Sequence, residues 1–362
     1  MKDSYNIALI IERGFEESCI REFERIIGKK LDFDLIKFKK MSIVILKKIK
    51  FEEAINLSYV SRVIHDSLIL LAFENIEKLE QVLNNLEIPF EFSKIRIKLI
   101  KDSKKYGDKL SKFIYKKIIN KIPRKGEIEL FLKGYIVNNK FIIGISFSDS
   151  IGKRKYKIVE YKESINPVSI STFLNYLEIP EESIESILNI YSKDGTIPIE
   201  IGIIFKNIPA NFWSKKSFYL LNNLDYLAKL DEKFIKESKN KIYSVDNFSK
   251  NILVSKRNAI NAMVKDIIFF KRADPEYLDL IINKKFKLIL IDLYKQMELN
   301  IKNIMYSSSN LIEDEGKIVI ISDKNLLDQV ENISKKLNLE ILDIEESIFL
   351  NDVKRFYILK KK

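Results

Sequence analysis

The chain has 362 residues, 46% of them hydrophobic and 31% charged, with a formal net charge of +12; this length calls for two or three domains, each with its own core, and the composition excludes a disordered chain. One cysteine, Cys19, excludes a disulfide framework and a thiolate metal cage, and one histidine, His65, argues against zinc hydrolase chemistry and a Ser-His-Asp triad. No metal site is expected.

The N-terminal "MKDSYNIALIIERGF" sets charge on both sides of a very short apolar run, and no run approaches the roughly 20 apolar residues of a membrane span. A cytoplasmic protein without signal peptide or membrane segment is therefore expected. The charge is uneven: residues 1–162 hold 34 Lys/Arg against 22 Asp/Glu, while residues 163–362 hold 29 of each. Within the front part, Lys94 to Lys125 carries thirteen basic residues against Asp102 and Asp108. Such a concentration is the footprint of a polyanion binder; the alternative is a solvated lysine face in a lysine-rich chain.

Three segments follow in order. In residues 1–65, "NIALIIE" reads as a strand, "FEESCIREFERIIG" as a helix closed by Gly28 with Cys19 as core filler, and "SIVILKK" as a strand. "FEEAINLSYVSRVIHDSLILLAFE" is helical and runs into a strand, and a small ferredoxin-like α+β unit fits. In residues 66–160, "IEKLEQVLNNL" is helical, and "FSKIRIKLI" alternates with Arg96 and Lys98 on one face. "YGDKLSKFIYKKIINKI" is amphipathic, with Leu110, Phe113, Ile114 and Ile118 opposite Lys109, Lys112, Lys116 and Lys117. "IELFLKGYIVNNKFIIGISF" is a hairpin turning at Asn138-Asn139-Lys140, ending in the basic loop "DSIGKRKYK".

From 165 to 362, strands and helices alternate as in a mostly parallel sheet covered on both faces. "SILNIYS" is a strand with a helix from Ile197, "KIYSVD" a strand ending in Asp246, "DIIFFKRAD" one ending at Asp274, and "FKLILIDLY" one ending at Asp292. "EYKESINP" is the expected join. In an open α/β sheet, ligands sit beyond the carboxyl ends of the strands. A nucleoside cofactor there needs a tight turn on the first strand, an acceptor for ribose hydroxyls on the second, and an acceptor for the adenine amine on the third. The Gly195-Thr196 turn, Asp246 and Asp274 stand in that order, although each Asp could equally cap the next helix.

Here the sequence resembles the RNA methyltransferases that join an N-terminal THUMP domain to an S-adenosylmethionine-dependent Rossmann-like domain, and most of all those acting on guanine N2 in tRNA. "FLKGYIVNNKFIIGISFSDSIGKRKYK" is similar to the end of a THUMP domain, and "SINPVSISTFLNYL" to the helix before the cofactor turn. "DGTIPIEIGIIFKNIPANF" resembles the family's G-S-G-T-I-P-I-E stretch and its insertion, and "YSVDNFSKNILVSKRNAINAMVKDIIFFKRADPEYLDL" the strands that hold ribose and adenine. The resemblance implies S-adenosylmethionine as cofactor on Gly195, Thr196, Asp246 and Asp274, with Asp292 orienting a guanine amine and Tyr294 stacking on the flipped base. It implies tRNA or another structured RNA as partner, gripped through Lys104, Lys105, Lys109, Lys112, Lys116, Lys117, Arg124, Lys125, Lys153, Arg154, Lys155 and Tyr156. A protein partner or a homodimer is a further expectation.

Two departures bear on activity. Where the family turn reads D-P-x-C-G-S-G-T, this chain has Asn189 to Thr196, with Lys193 in place of a glycine that such turns use for positive φ or close approach to a ligand. Asp194 would bring negative charge towards the methionine carboxylate, partly offset by Lys193. Where the family has [DN]-P-P-[YF], this chain has Asp292, Leu293, Tyr294 and Lys295, with both prolines gone and the aromatic ring one position early. Two readings follow: an RNA-binding family member with impaired or lost catalysis, or an active guanine-N2 methyltransferase with divergent motifs. A third, a nucleotide-dependent metabolic enzyme, leaves the front charge without a use.

Overall fold

The computed structural model describes residues 3–90, 94–101, 108–119, 129–179, 186–221, 224–294 and 301–362. The chain divides into two compact units, 1–153 with 209–233, and 154–208 with 234–362.

The first unit is built on one sheet. Its elements in order are β1 (Tyr5–Ile11), α1 (Glu16–Ile27), β2 (Phe33–Lys37), β3 (Ser42–Ile49), α2 (Phe51–Val60), β4 (Asp66–Asn75), α3 (Leu79–Asn84), β5 (Lys94–Lys101), α4 (Asp108–Ile119), β6 (Glu129–Val137) and β7 (Lys140–Ser146). The strand order is β2-β3-β1-β4-β7-β6-β5, antiparallel except for the β5–β6 pair. Strands from the two front segments of the sequence thus share a single sheet. Helix α1 ends where expected: Gly28 takes φ +79° and its N–H returns to the Glu24 carbonyl at 2.7 Å, a left-handed cap that glycine adopts without a Cβ penalty. Cys19 packs in its buried face, where burial and the neighbouring Glu22 push the thiol up. The β6–β7 hairpin turns on Asn138 and Asn139 at φ +49° and +60°, the left-handed pair that a two-residue hairpin requires.

Buried carboxylates pin this sheet. Asp66 at the start of β4 accepts Lys133 Nζ at 2.8 Å and the Tyr135 hydroxyl at 2.7 Å, tying β4 to β6. His65 Nε2 lies 2.9 Å from buried Glu12, a satisfied polar contact.

The second unit begins with α5 (Pro167–Tyr176), β8 (Ser186–Ile190) and α6 (Thr196–Phe205). The chain then returns to the first unit, where Asn211 Nδ2 donates to the Ser58 carbonyl and the Tyr59 hydroxyl to Asp231 within α7 (Asp225–Phe234). It re-enters the second unit with β9 (Lys241–Asp246), α8 (Ser249–Asn261), β10 (Ile268–Arg272), α9 (Leu278–Ile281), β11 (Phe286–Asp292), α10 (Ile301–Leu311), β12 (Ile312–Ser322), α11 (Leu327–Lys336), β13 (Leu339–Phe349) and β14 (Asp352–Lys361). The strand order is β10-β9-β8-β11-β12-β14-β13. Strands β8 to β12 pair in parallel and β14 runs antiparallel between β12 and β13. The order reverses between β8 and β11, which makes their carboxyl ends the switch point of the sheet. Two boundaries shift by a residue or two: α6 starts at Thr196 rather than Ile197, and β10 stops at Arg272 rather than Asp274.

One sequence expectation is corrected here. Arg154 and Tyr156, assigned to an RNA surface, are buried. Glu200, also fully buried on α6, accepts Arg154 Nε at 3.0 Å, the Tyr156 hydroxyl at 2.8 Å and the Ser171 hydroxyl at 2.6 Å. A buried carboxylate needs a cation and donors, and these two side chains are spent on it. Removing one partner of such a pair leaves an uncompensated charge, so Glu200→Ala is expected to cost about 3–5 kcal/mol of stability in urea unfolding. Glu200→Gln, which keeps hydrogen-bonding capacity, should cost less.

Candidate functional site

The turn expected to hold a cofactor leaves β8 at the switch point with an unusual backbone. Tyr191, Lys193 and Gly195 all take positive φ, at +65°, +50° and +89°. Only the last is glycine, where an added Cβ would come within 3.0 Å of Ser255 Cα. Non-glycine residues in the left-handed region carry a strain of order 1–3 kcal/mol each and persist only where their surroundings hold them there. The surroundings here do so. Ser192 N–H donates to the Val245 carbonyl at 3.1 Å, Lys193 N–H to Asp246 Oδ2 at 3.0 Å, and the Ser255 hydroxyl to the Lys193 carbonyl at 3.2 Å.

The Lys193 side chain then crosses the crevice between β8 and β11. Its ammonium donates to Asp292 Oδ1 at 2.8 Å, to the Leu293 carbonyl at 3.1 Å and to the Glu163 carbonyl at 3.0 Å. It also lies 4.9 Å from the centre of the Tyr294 ring, within reach of a cation–π attraction. Three acceptors use all three ammonium hydrogens. Burial pushes the Asp292 carboxyl above its ordinary range, and the Lys193 charge works against that rise. Tyr294 packs edge-on to Tyr191 with ring centres 5.1 Å apart. Its hydroxyl receives Asn251 Nδ2 at 2.6 Å and lies 3.4 Å from Asp246 Oδ2.

Asp194 does not face the crevice. Its carboxylate accepts Lys157 Nζ at 3.1 Å, the Tyr161 N–H at 3.1 Å, the Thr196 N–H at 3.2 Å and the Thr196 hydroxyl at 2.6 Å. The expectation that Lys193 offsets Asp194 is corrected: Lys193 pairs with Asp292, and Lys157 serves Asp194. Thr196 is thereby turned inward. Asn189, where the family has an acid, is fully buried and accepts the Ser244 hydroxyl at 3.1 Å.

Asp246 stands at the tip of β9 as expected. Its Oδ1 accepts the Phe248 N–H at 2.9 Å and Asn251 Nδ2 at 3.0 Å, while Oδ2 takes Lys193 N–H and faces the Tyr294 hydroxyl. An ionised carboxylate offers about four acceptor positions, and protein donors stand at all four. Asp274, exposed beyond β10, accepts the Glu276 N–H at 3.1 Å and so caps the following turn. The capping alternative is realised there.

Of the expected RNA-binding lysines, Lys112 and Lys116 are exposed on α4, with Ile114 and Ile118 buried behind them. Lys109 falls in the first turn of the same helix. Lys117 is half-buried and paired with Glu80 at 2.9 Å. Lys153 and Lys155 are exposed. Lys104, Lys105, Arg124 and Lys125 lie outside the described residues. Sequence reasoning missed Tyr191, Asn251 and Lys157 as parts of the strand-tip cluster. The available signal was Lys193 itself, a long cation where a glycine was expected.

Residues 185–307 match the family model UPF0020, the RMKL-like methyltransferase domain. The tRNA (guanine(6)-N2)-methyltransferase of Archaeoglobus fulgidus is 22% identical over 148 residues, 40% of this chain and 36% of that protein, so the match spans well under half of the curated relative. Among solved structures, the putative methyltransferase SMU.472, complexed with SAH, superposes with a TM-score of 0.77 at 15% identity over 100% of this chain and 99% of that one. TrmN from Thermus thermophilus gives 0.68 at 12% identity over 99% of both chains. A predicted N6-adenine-specific DNA methylase from Listeria monocytogenes gives 0.76 at 14% identity, over 99% of this chain and 97% of that one. At these identities the likeness to the solved structures is one of fold. Residues 185–307 thus match the RMKL-like methyltransferase domain, in a chain that shares the fold of those structures along its whole length.

Proposed function

We propose that this protein binds tRNA or a similar structured RNA through its basic front half, and that its methyltransferase domain has lost, or mostly lost, methyl transfer because its own side chains fill the crevice. The observation that carries this reading is the engagement of the strand-tip groups. Protein donors surround Asp246, the acceptor a ribose would need, and the Lys193 ammonium spans the gap from the turn to Asp292. S-adenosylmethionine does not fit these residues as they stand. It would have to displace the Lys193 side chain and compete for Asp246, breaking charge-assisted hydrogen bonds worth about 1.5–3 kcal/mol each.

RNA binding is supported by the net +12 confined to residues 1–162 and by the exposed lysines of α4. Contacts from such a surface reach phosphates and set register without reading sequence. The relative named for methylation of tRNA supports tRNA as the RNA class. A second reading, an active guanine-N2 methyltransferase, is favoured by one observation: Asp292 and Tyr294 remain together at the tip of β11, where an amine acceptor and a stacking ring would be needed.

Calorimetric titration separates the two. The closed-crevice reading expects no heat with S-adenosylmethionine at millimolar concentration and no methyl incorporation into bulk tRNA. Micromolar binding, with transfer abolished by Asp292→Ala, would establish the enzyme instead. For RNA, tRNA affinity should fall steeply with salt, by about 0.9 log unit per log unit of salt for each phosphate neutralised in a duplex. The Lys109/Lys112/Lys116 triple alanine variant should flatten that slope by about two to three; an unchanged slope removes α4 from the interface.

A further inference from the structure

The segment 154–166 joins the first unit to α5, and it lies along the cofactor turn rather than looping away. Several contacts hold it. Lys157, whose side chain is 5% exposed, reaches from the segment to Asp194 of the turn at 3.1 Å. The Tyr161 N–H donates to the same Asp194 carboxylate. Asn258 on α8 accepts the Ile158 N–H at 2.9 Å with Oδ1, and its Nδ2 donates to the Val159 carbonyl at 2.9 Å and the Asp194 carbonyl at 2.8 Å. Lys193 reaches the opposite way, from the turn to the Glu163 carbonyl.

We propose that Lys157 and Lys193 form a reciprocal clasp that fastens segment 154–166 over the cofactor turn, so that the Lys193 ammonium acts as a built-in ligand keeping the crevice shut. The idea rests on the closed-crevice reading above and adds its mechanism. Each lysine leaves one strand of the clasp and is received by the other, and Lys193 extends the closure to β11 through Asp292 and the Leu293 carbonyl. A buried ammonium without acceptors is costly. The Glu163 carbonyl is one of the three acceptors this ammonium has, so lifting the segment leaves one buried ammonium hydrogen without a partner and disfavours the buried position of Lys193. Movement of the segment and departure of Lys193 from the crevice are thereby coupled.

The segment also carries its own reporters. The amides of Ile158 and Tyr161 are hydrogen-bonded through the closed arrangement described, and Lys155 and Lys162 are exposed sites for trypsin. In the full-length protein, Lys193→Met keeps an unbranched side chain of nearly the same length and removes the charge. Hydrogen exchange at Ile158 and Tyr161 and tryptic cleavage at Lys155 and Lys162 should then rise about tenfold more than exchange at the core amides of the same unit, which report the global loss of stability that an unpaired buried Asp292 brings. In Lys193→Ala, propylammonium in the buffer should restore protection, because a compact primary cation can occupy the same three acceptors; propanol should not.

Lys157→Met tests the other half of the clasp and should loosen the same amides, which keeps the idea testable should the Lys193 variants fail to fold. Unaltered exchange in both methionine variants overturns the clasp, as does equal rescue by propanol. The parent reading is checked separately, by titrating S-adenosylmethionine into the wild-type protein. Micromolar binding there sinks the closed crevice whatever the exchange data show. Absent binding together with unaltered exchange sinks the clasp alone.

Discussion

The ion pair between Lys193 and Asp292 spans the switch point of the second unit, and most of what is distinctive at that end of the sheet depends on it. Removing two charges from water costs several kcal/mol per ion, which their attraction offsets only when the remaining hydrogen-bonding positions are also filled. Here they are filled on the cationic side, by the Leu293 and Glu163 carbonyls beside Asp292, with the Tyr294 ring facing the ammonium. A cation held this way brings together three chain segments: the turn after β8, the tip of β11 and the approach to α5. In an α/β sheet that crevice is where a ligand ordinarily sits. In this chain the Lys193 ammonium lies there, paired with Asp292.

The same logic recurs at other buried carboxylates. Asp66 is matched by Lys133, Glu200 by Arg154, and Asp194 by Lys157. Each pair is held by additional hydroxyl or amide donors, the condition under which a buried charge is tolerated. Part of the basic excess of the front half is therefore internal: Lys133, Arg154 and Lys157 are partners of acids, not surface. The exposed part of the excess includes Lys112 and Lys116 on α4 and Lys153 on the connecting segment. Net charge alone could not make that division, because a lysine counts the same whether it faces water or a carboxylate.

The turn after β8 also shows a backbone shape held by residues that do not favour it. Positive φ at Tyr191, Lys193 and Gly195 is a conformation that glycine takes without strain. Tyr191 and Lys193 take it with side chains, and the fold holds them in place through Asp246, Val245 and Ser255. Those side chains have to go somewhere, and at the switch point the crevice is the space on offer. Tyr191 meets Tyr294, and Lys193 meets Asp292. A lysine at positive φ is thus both a strain on the turn and the source of the ammonium that meets Asp292.

Much of this architecture was legible beforehand. Gly28 as a left-handed cap, the Asn138-Asn139 hairpin, the alternation of strands and helices after residue 165, and the Asp residues at strand tips all follow from local patterns, because turns, caps and periodicity depend on near neighbours in sequence. The charged partners were not legible. Nothing within a few residues of Lys193 says that it will meet Asp292, a hundred positions on, or that Arg154 will be drawn inside by Glu200; such pairings exist only once the sheet order brings distant strand ends together. The return of residues 209–233 to the first unit was hidden for the same reason, since its anchors, Ser58 and Tyr59, lie far upstream. Local chemistry determined which segments would be strands, helices and turns, and the tertiary structure alone decided which charges face water and which pair at the strand tips, because those pairings join residues far apart in sequence.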